Sequence, residues 1–165
     1  MPSLTRAELL EAAKPFCDSF AQKKPLEDIL SHFSSSPGSA SSSDTVLVHE
    51  HGLPQLAPFL GRDFRGLDGA RTYFETVAKY LSYEDMRFVE FVVDAGAENK
   101  DNDEGGDGGG KVAVRGKARF TWTETGKSWD ETFVYVLRFD ARAKLTRYEV
   151  WADSGAAYLA RRGEL

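Results

Sequence analysis

The chain has 165 residues, a formal net charge of −5 and 41% hydrophobic residues, which suits one globular domain with a sizeable core. The acidic balance, without any basic cluster, argues against a nucleic-acid partner. No apolar run is long enough to cross a bilayer, and residues 1–14 carry interspersed charges unlike those of a signal peptide. A single cysteine, Cys17, excludes an intrachain disulfide, and we expect a cytoplasmic protein.

Two helices are predicted at the N-terminus. Thr5 and Glu8 have the spacing of a capping box, and apolar residues recur after them at helical spacing. Pro15 is expected to kink or split this first helix, because proline has no amide proton to donate. A second, short helix is predicted to begin at Pro25.

The middle of the chain alternates polar loops with periodic segments. Residues 34–43 and 99–110 are rich in serine, glycine and acidic residues, so we expect flexible loops there. Residues 45–51 have the pattern of a strand, and residues 54–60 could form one helical turn. An amphipathic helix follows, with Asp68 as its expected N-cap.

The last half of the sequence is predicted to be β-structure. Strands are expected at 86–95, 111–124, 128–139 and 145–153, followed by a helical turn or a packing tail. This segregated order predicts an α+β domain in which a strongly curved antiparallel sheet, with helices on its concave side, encloses a cavity. Exposed strand edges and the aromatic excess also favour a homodimer.

Three segments resemble the NTF2-like superfamily and, within it, the SnoaL-like group: residues 64–75 (FRGLDGARTYFE), 126–140 (GKSWDETFVYVLRFD) and 144–155 (KLTRYEVWADSG). With the N-terminal helix pair, the resemblance covers residues 1–165 as one domain, apart from the two loops. It implies a cone-shaped half-barrel whose deep pocket opens between helices and sheet. Members include isomerases, polyketide cyclases, dehydratases and epoxide hydrolases, as well as non-catalytic carriers and dimerising interaction domains. Most use no metal, and we expect no cofactor.

The resemblance singles out the acid near the end of the last strand. In many catalytic relatives such an acid faces the pocket, and Asp153 matches it by position; burial would raise its pKa towards neutrality. The alternative is that Asp153 caps the turn that follows. Glu149 and Trp151 would lie on the same side of the strand, with Trp151 as a pocket wall or a core residue. Glu149 would then need a partner such as Arg119 or Arg115, unless a bulge turns it outward.

A second candidate cluster is the sequence His49-Glu50-His51. Its two histidines would share one strand face, about 6.6 Å apart. This spacing suits a base with a hydrogen-bond donor, or two ligands of one metal ion, although no third histidine ligand is close in sequence. A solvated pair at a strand end is the alternative. An isomerase would hold its base near this position, and the lack of an Asp there argues against a ketosteroid isomerase mechanism.

Aromatic residues on the predicted strands could line a pocket or fill a core: Tyr135, Phe120 and Trp122. The leading hypothesis is therefore a protein that binds a small hydrophobic molecule and uses acid–base chemistry for cyclisation, isomerisation or dehydration. Asp153 would be the acid or base, assisted by His49 or His51. The second hypothesis is a non-catalytic dimer that serves as a ligand-binding or protein-interaction domain.

Overall fold

The computed structural model describes residues 3–35, 46–95 and 109–165. The predicted loops at 34–43 and 99–110 lie mostly outside these ranges, so their flexibility stays a prediction. Within the ranges, none of the helices is long and apolar enough to span a membrane. The described chain forms these elements in order: α1 (Arg6–Ala21), α2 (Leu26–Leu30), β1 (Leu47–His51), β2 (Asp63–Arg65), α3 (Gly66–Tyr80), β3 (Leu81–Asp94), β4 (Gly110–Trp122), β5 (Lys127–Phe139), β6 (Leu145–Trp151) and α4 (Ser154–Arg161).

All six strands of the described chain form one sheet, in the order β2-β1-β6-β5-β4-β3. Strands β3 to β6 make an antiparallel meander, whereas β1 pairs in parallel with β6 and antiparallel with β2. Register shifts in β3, between Glu84 and Arg87 and between Phe88 and Glu90, are irregularities of the kind that bend a strand. The predicted α+β class, with a curved sheet and helices packed on it, is confirmed.

Helix α1 begins with the predicted capping box. The Thr5 amide donates to Glu8 Oε2 at 2.8 Å, and the Glu8 amide donates to Thr5 Oγ1 at 3.3 Å. The prediction that Pro15 could split the helix is wrong, because α1 continues to Ala21. Its buried face, which includes Phe16, packs on the sheet, and we attribute the continuity of the helix to this packing.

Several boundaries differ from those predicted. Helix α2 begins at Leu26, one residue after the predicted start at Pro25, which is its N-cap. Asp68 is not the N-cap of α3 but lies within its first turn, because that helix already begins at Gly66. The negative charge of Asp68 still stabilises the N-terminus of α3, where the helix dipole is positive. Residues 54–60 form turns rather than a helix, and the three-residue strand β2 was not predicted.

Strand β3 starts at Leu81, immediately after α3, five residues earlier than the predicted start at 86. Leu81 therefore belongs to the sheet and not to the amphipathic helix α3. Leu81 and Tyr83 alternate towards the interior, but the charged residues in Ser82–Asp85 make this alternation difficult to recognise in the sequence. Ladder pairing of Leu81 with Trp122 fixes this early start.

The two faces of the sheet differ in chemistry. On β4 the inner positions, such as Val112 and Val114, are buried in the core between sheet and helices. The outer positions carry the basic residues Arg115, Lys117 and Arg119. Two of these bases form ion pairs on the outer face: Arg115 with Glu90, and Arg119 with Asp130 at 3.2 Å.

Gly116 is an inner-face position of β4 that lies directly opposite Phe133 on β5. A Cβ atom at residue 116 would overlap the Phe133 ring, so the aromatic ring occupies the space that the missing side chain leaves. We predict that Gly116→Ala lowers the free energy of unfolding by about 1–3 kcal/mol, measured by urea denaturation. The control Gly155→Ala meets only Asp153 Oδ1 at 3.5 Å and should be neutral or stabilising; equal behaviour of the two variants would contradict the prediction.

Candidate active site

A cavity of about 410 Å³ lies between the inner face of the sheet and the helices. Its volume is in the range of sites that enclose a small organic molecule. Its interior is mainly aromatic, and the buried polar residues of its lining include two glutamates and three tyrosines. The aromatic residues in its lining include Phe20, Phe59, Tyr73, Phe74, Phe120, Trp129, Phe133, Tyr135 and Tyr148.

Glu50 is the central polar residue of this cavity. It lies on β1, between two histidines, but its side chain faces inward like that of Val48 and is only 7% exposed. The Tyr73 hydroxyl donates to Glu50 Oε2 at 2.8 Å. Burial raises the pKa of Glu50 from 4.5 to about 8; the hydrogen bond from Tyr73 opposes this rise and the charge of Glu131 adds to it. Glu50 is therefore mostly protonated at neutral pH.

Glu131 is the second buried acid, on the inner face of β5. Its Oε1 accepts a hydrogen bond from Trp129 Nε1 at 3.1 Å and another from the backbone amide of Asp153 at 3.0 Å. Burial raises the pKa of Glu131, the two donors lower it, and the charge of Asp153 raises it further. Two N–H donors thus stabilise the charged form of Glu131, whereas Glu50 accepts its bond from a single phenol.

Three buried tyrosines from different elements meet beside Glu50: Tyr73 on α3, Tyr135 on β5 and Tyr148 on β6. The ring centroids of Tyr135 and Tyr148 are 4.9 Å apart, and those of Tyr73 and Tyr148 are 6.1 Å apart. Burial raises the pKa of each phenol well above 10, so all three keep their protons at physiological pH. Because Tyr73 already donates its proton to Glu50 Oε2, the phenols that remain to meet an oxygen atom of a ligand are Tyr135 and Tyr148.

Asp153, the acid favoured by the sequence, is exposed at the mouth of the cavity. It is the N-cap of α4, and its Oδ1 accepts from the Ala156 amide at 2.9 Å. These contacts fit the capping interpretation rather than that of a buried acid or base. Its link to the cavity runs through its backbone amide, which donates to Glu131.

Glu149 and Trp151 do not face the cavity, so their predicted place in a pocket wall is wrong. On β6 the inward positions next to them belong to Tyr148 and Val150, which puts Glu149 and Trp151 on the outer face. Trp151 is 43% exposed. Glu149 accepts a hydrogen bond from Arg147 Nε at 3.1 Å, whereas the predicted partner Arg119 pairs with Asp130.

His49 and His51 also lie on the outer face, because the parallel register pairs them with Glu149 and Trp151. His49 Nδ1 is 2.8 Å from Asp63 Oδ1, and the His51 ring stacks on Trp151 with centroids 3.9 Å apart. Burial lowers the pKa of His51. The sheet thus separates both histidines from the cavity, and their predicted role beside a cavity acid does not fit this placement. Over the described ranges, no three or more His, Cys, Asp or Glu side chains are grouped to hold a metal ion.

The predicted aromatic set divides between cavity and core. Tyr135 and Phe120 line the cavity. Trp122 is fully buried and packs on Tyr80 and Phe59, so it belongs to the core.

Both cavity acids were missed by the sequence analysis, although each carried a signal. Glu50 continues the inward series that includes Val46 and Val48, and Glu131 lies between Trp129 and Phe133 on an otherwise apolar strand face. An acid at such a position is costly to bury. The phase of the alternation therefore pointed to Glu50 rather than to its two histidine neighbours.

The pKa of Glu50 generates a prediction about stability. Below pH 4.5 the Glu50 side chain is protonated in both the folded and the unfolded chain. Between pH 4.5 and about pH 8 the unfolded chain loses this proton while the folded chain keeps it. Stability should therefore fall between these pH values, with a slope from Glu50 approaching about 1.4 kcal/mol per pH unit. Urea unfolding at a series of pH values should show this fall.

Glu50→Gln imitates the protonated side chain, so it should flatten most of that slope; Glu131 contributes a remainder of the same sign because its pKa is also raised. The exposed Glu124→Gln is the matched control and should keep the wild-type profile. A wild-type slope in Glu50→Gln would show that Glu50 is not the buried neutral acid.

Comparison with known proteins identifies the fold. No protein-family model matches the chain, and no curated protein matches it. Among solved structures, a candidate isomerase from Rhodopseudomonas palustris has a TM-score of 0.65 at 12% identity, covering 97% of this chain and 99% of its own. An NTF2-like protein from Burkholderia xenovorans has a TM-score of 0.63 at 15% identity (96% and 98% covered), and a candidate SnoaL-like polyketide cyclase from Mesorhizobium loti has 0.55 at 15% (89% and 98%). At these identities the likeness concerns the fold, and the chain has the fold of NTF2-like and SnoaL-like proteins.

Proposed function

We propose that this chain binds a small hydrophobic molecule in the cavity and moves a proton on it with its own side chains, as an isomerase, cyclase or dehydratase does. The observation that carries the proposal is the buried pair Glu50 and Glu131 among tyrosines in an aromatic cavity. Carboxyl groups kept in such an interior are typical of sites that tune acids for proton transfer.

The two acids have different surroundings, and we assign them different roles on this basis. Glu50 is mostly protonated at neutral pH and accepts from Tyr73 on Oε2, so its own proton is available to an oxygen atom of the substrate. Glu131 has two N–H donors on one oxygen, which favour its carboxylate form. Glu50 would act as the acid and Glu131 as the base that removes a proton from a neighbouring carbon.

The aromatic walls support this chemistry. A bound apolar molecule would displace water from the cavity, and hydrogen bonds to a developing negative charge are stronger in such surroundings than in water. Tyr135 and Tyr148, which are hydrogen-bonded to each other, add a donor beside Glu50. Solved neighbours of the same fold include candidate isomerases and a candidate cyclase, which is consistent with the class; the fold does not select among its reactions.

Deuterium uptake from solvent tests the proposal without knowledge of the natural substrate. Hydrophobic cyclic ketones would be incubated with the protein in D₂O, and incorporation beside the carbonyl group followed by NMR. Glu131→Gln and Glu50→Gln should each slow incorporation by a factor of about 10²–10⁴, because each removes a proton-transfer group. Glu90→Gln, a carboxylate on the outer face, is the matched control and should leave the rate unchanged. Ketones that bind in the cavity and exchange equally fast with all variants would contradict the roles of both acids.

We also propose a homodimer through the outer face of the sheet. Val92, Ala113 and Val136 lie in register on three adjacent strands, and Val92 is 67% exposed. This row gives the outer face an apolar centre flanked by the charged pairs described above. The dimer is compatible with the catalytic proposal and is also the form that a non-catalytic binding protein would take.

Sedimentation equilibrium tests this dimer. Wild-type protein should sediment as a dimer, and Val92→Lys should shift it towards monomer because it buries a charge in the proposed interface. Leu53→Lys, which is 63% exposed in the turn after β1, is the control and should remain dimeric. A monomeric wild type at high concentration would overturn the dimer.

A further inference from the structure

The mouth of the cavity has a charge pattern that differs from its interior. We define the mouth as the exposed residues of the lining: Lys23, Lys24, Glu75, Ala78, Ser82 and Asp153. Its two cations are adjacent in the turn between α1 and α2, whereas its acids lie on α3 and at the start of α4. A ligand that enters would therefore meet positive charge on one side of the opening.

Lys23 adopts an unusual backbone conformation at this place, with φ of 51°. Its amide donates to the Phe20 carbonyl at 3.0 Å, and the Lys24 amide donates to the Ser19 carbonyl at 2.9 Å. This pattern closes many helices and usually has glycine at the position with positive φ, because a Cβ atom disfavours that region. A strained lysine at a cavity mouth suggests that its side chain has a function.

The Lys23 ammonium group lies over the aromatic ring of Tyr83, a residue of the cavity lining. Its Nζ lies 5.0 Å from the ring centroid of Tyr83. The Tyr83 hydroxyl donates to the Phe20 carbonyl at 2.7 Å, which fixes the ring next to the end of α1. Tyr83 and Phe20 both line the cavity, so the cation lies over the aromatic edge of the opening.

The carboxylates around the cavity do not neutralise these lysines. Across the described residues, no ion pair joins a carboxylate to Lys23 or Lys24. The Asp153 carboxylate is bound to the Ala156 amide, and the charge of Glu75 acts on Arg71 of the same helix. The two ammonium groups are thus available to a ligand.

We propose that Lys23 and Lys24 form an anion subsite, and that the cavity takes an amphipathic organic anion whose apolar body lies inside and whose carboxylate or sulfonate group stays at the mouth. This inference rests on the proposed binding of a hydrophobic molecule, to which it adds the class of ligand. The lysines would select and orient the ligand, and the cavity acids would meet its other end. The lysines are binding residues and take no part in the proton transfer.

Two fluorescent probes with one skeleton separate the subsite from the cavity: 8-anilinonaphthalene-1-sulfonate is an anion, and N-phenyl-1-naphthylamine lacks the sulfonate. At low salt, Lys23→Gln/Lys24→Gln should weaken binding of the anionic probe about fivefold or more and leave the neutral probe unchanged. The difference should shrink as salt screens the charges. Lys79→Gln is the matched control, because Lys79 also lies over a tyrosine ring, 5.3 Å from the centroid of Tyr80, but outside the cavity lining; it should change neither affinity.

Lys23→Gly tests whether the strained backbone serves binding. Glycine relieves the strain at positive φ, so the thermal midpoint should rise while the anionic probe binds more weakly. A purely structural lysine would leave the affinity for the anionic probe unchanged. That result would overturn the subsite.

Val77→Trp locates the probes, because Val77 lines the cavity and a larger side chain there should weaken binding of both. If neither probe binds the wild type, the proposed cavity function fails. If both bind inside but the lysine variants affect them equally or not at all, the subsite is overturned and the cavity function stands. Binding that Val77→Trp leaves intact would place the probes outside the cavity and overturn the subsite as well.

Discussion

The carboxyl group of Glu50, buried among aromatic rings, is the constraint on which the chemistry of this structure depends. An isolated carboxylate in an apolar interior is so costly that the group holds its proton instead, and burial raises the pKa of Glu50 to about 8. Tyr73 satisfies one oxygen of this neutral acid. Burial of Glu131 carries the same energetic cost. There an indole and a backbone amide reduce it by donating hydrogen bonds to Oε1. One cavity thus holds two acids whose pKa values are both raised by burial, and the two N–H donors of Glu131 oppose that rise.

The phase of the pleat decides which residues can take part. In the parallel pairing of β1 and β6, Glu50 lies opposite Val150, and both point inward. Their neighbours His51 and Trp151 are paired on the outer face, where the two rings stack. Because successive residues alternate between faces, a shift of one residue exchanges the whole set of cavity groups for the outer set. The sheet therefore separates groups that are adjacent in sequence.

This alternation explains how far the sequence could predict the structure. The α+β class, the capping box of α1 and the long strands followed from local patterns, which need no knowledge of distant contacts. The spacing of Glu149 and Trp151 was interpreted correctly as a shared face, but that face was assigned to the cavity; the inward residues Tyr148 and Val150 show that it is the outer one. The backbone amide of Asp153, which donates to Glu131, is 22 residues away in sequence, so no local pattern could predict this hydrogen bond.

Unfavourable local features are not equally informative, and their position relative to the cavity distinguishes them. Glu50 is a buried acid in its wall, and Lys23 has positive φ at its mouth. Trp122 Nε1 is also unfavourable, since it is buried without a hydrogen-bond partner in the described chain, yet its ring packs in the core. An unfavourable feature in the core lowers stability without contributing to ligand binding. The same loss of stability at a cavity position places a proton or a charge where it can contact a bound molecule. The cavity therefore remains the part of the fold where such costs have a functional explanation.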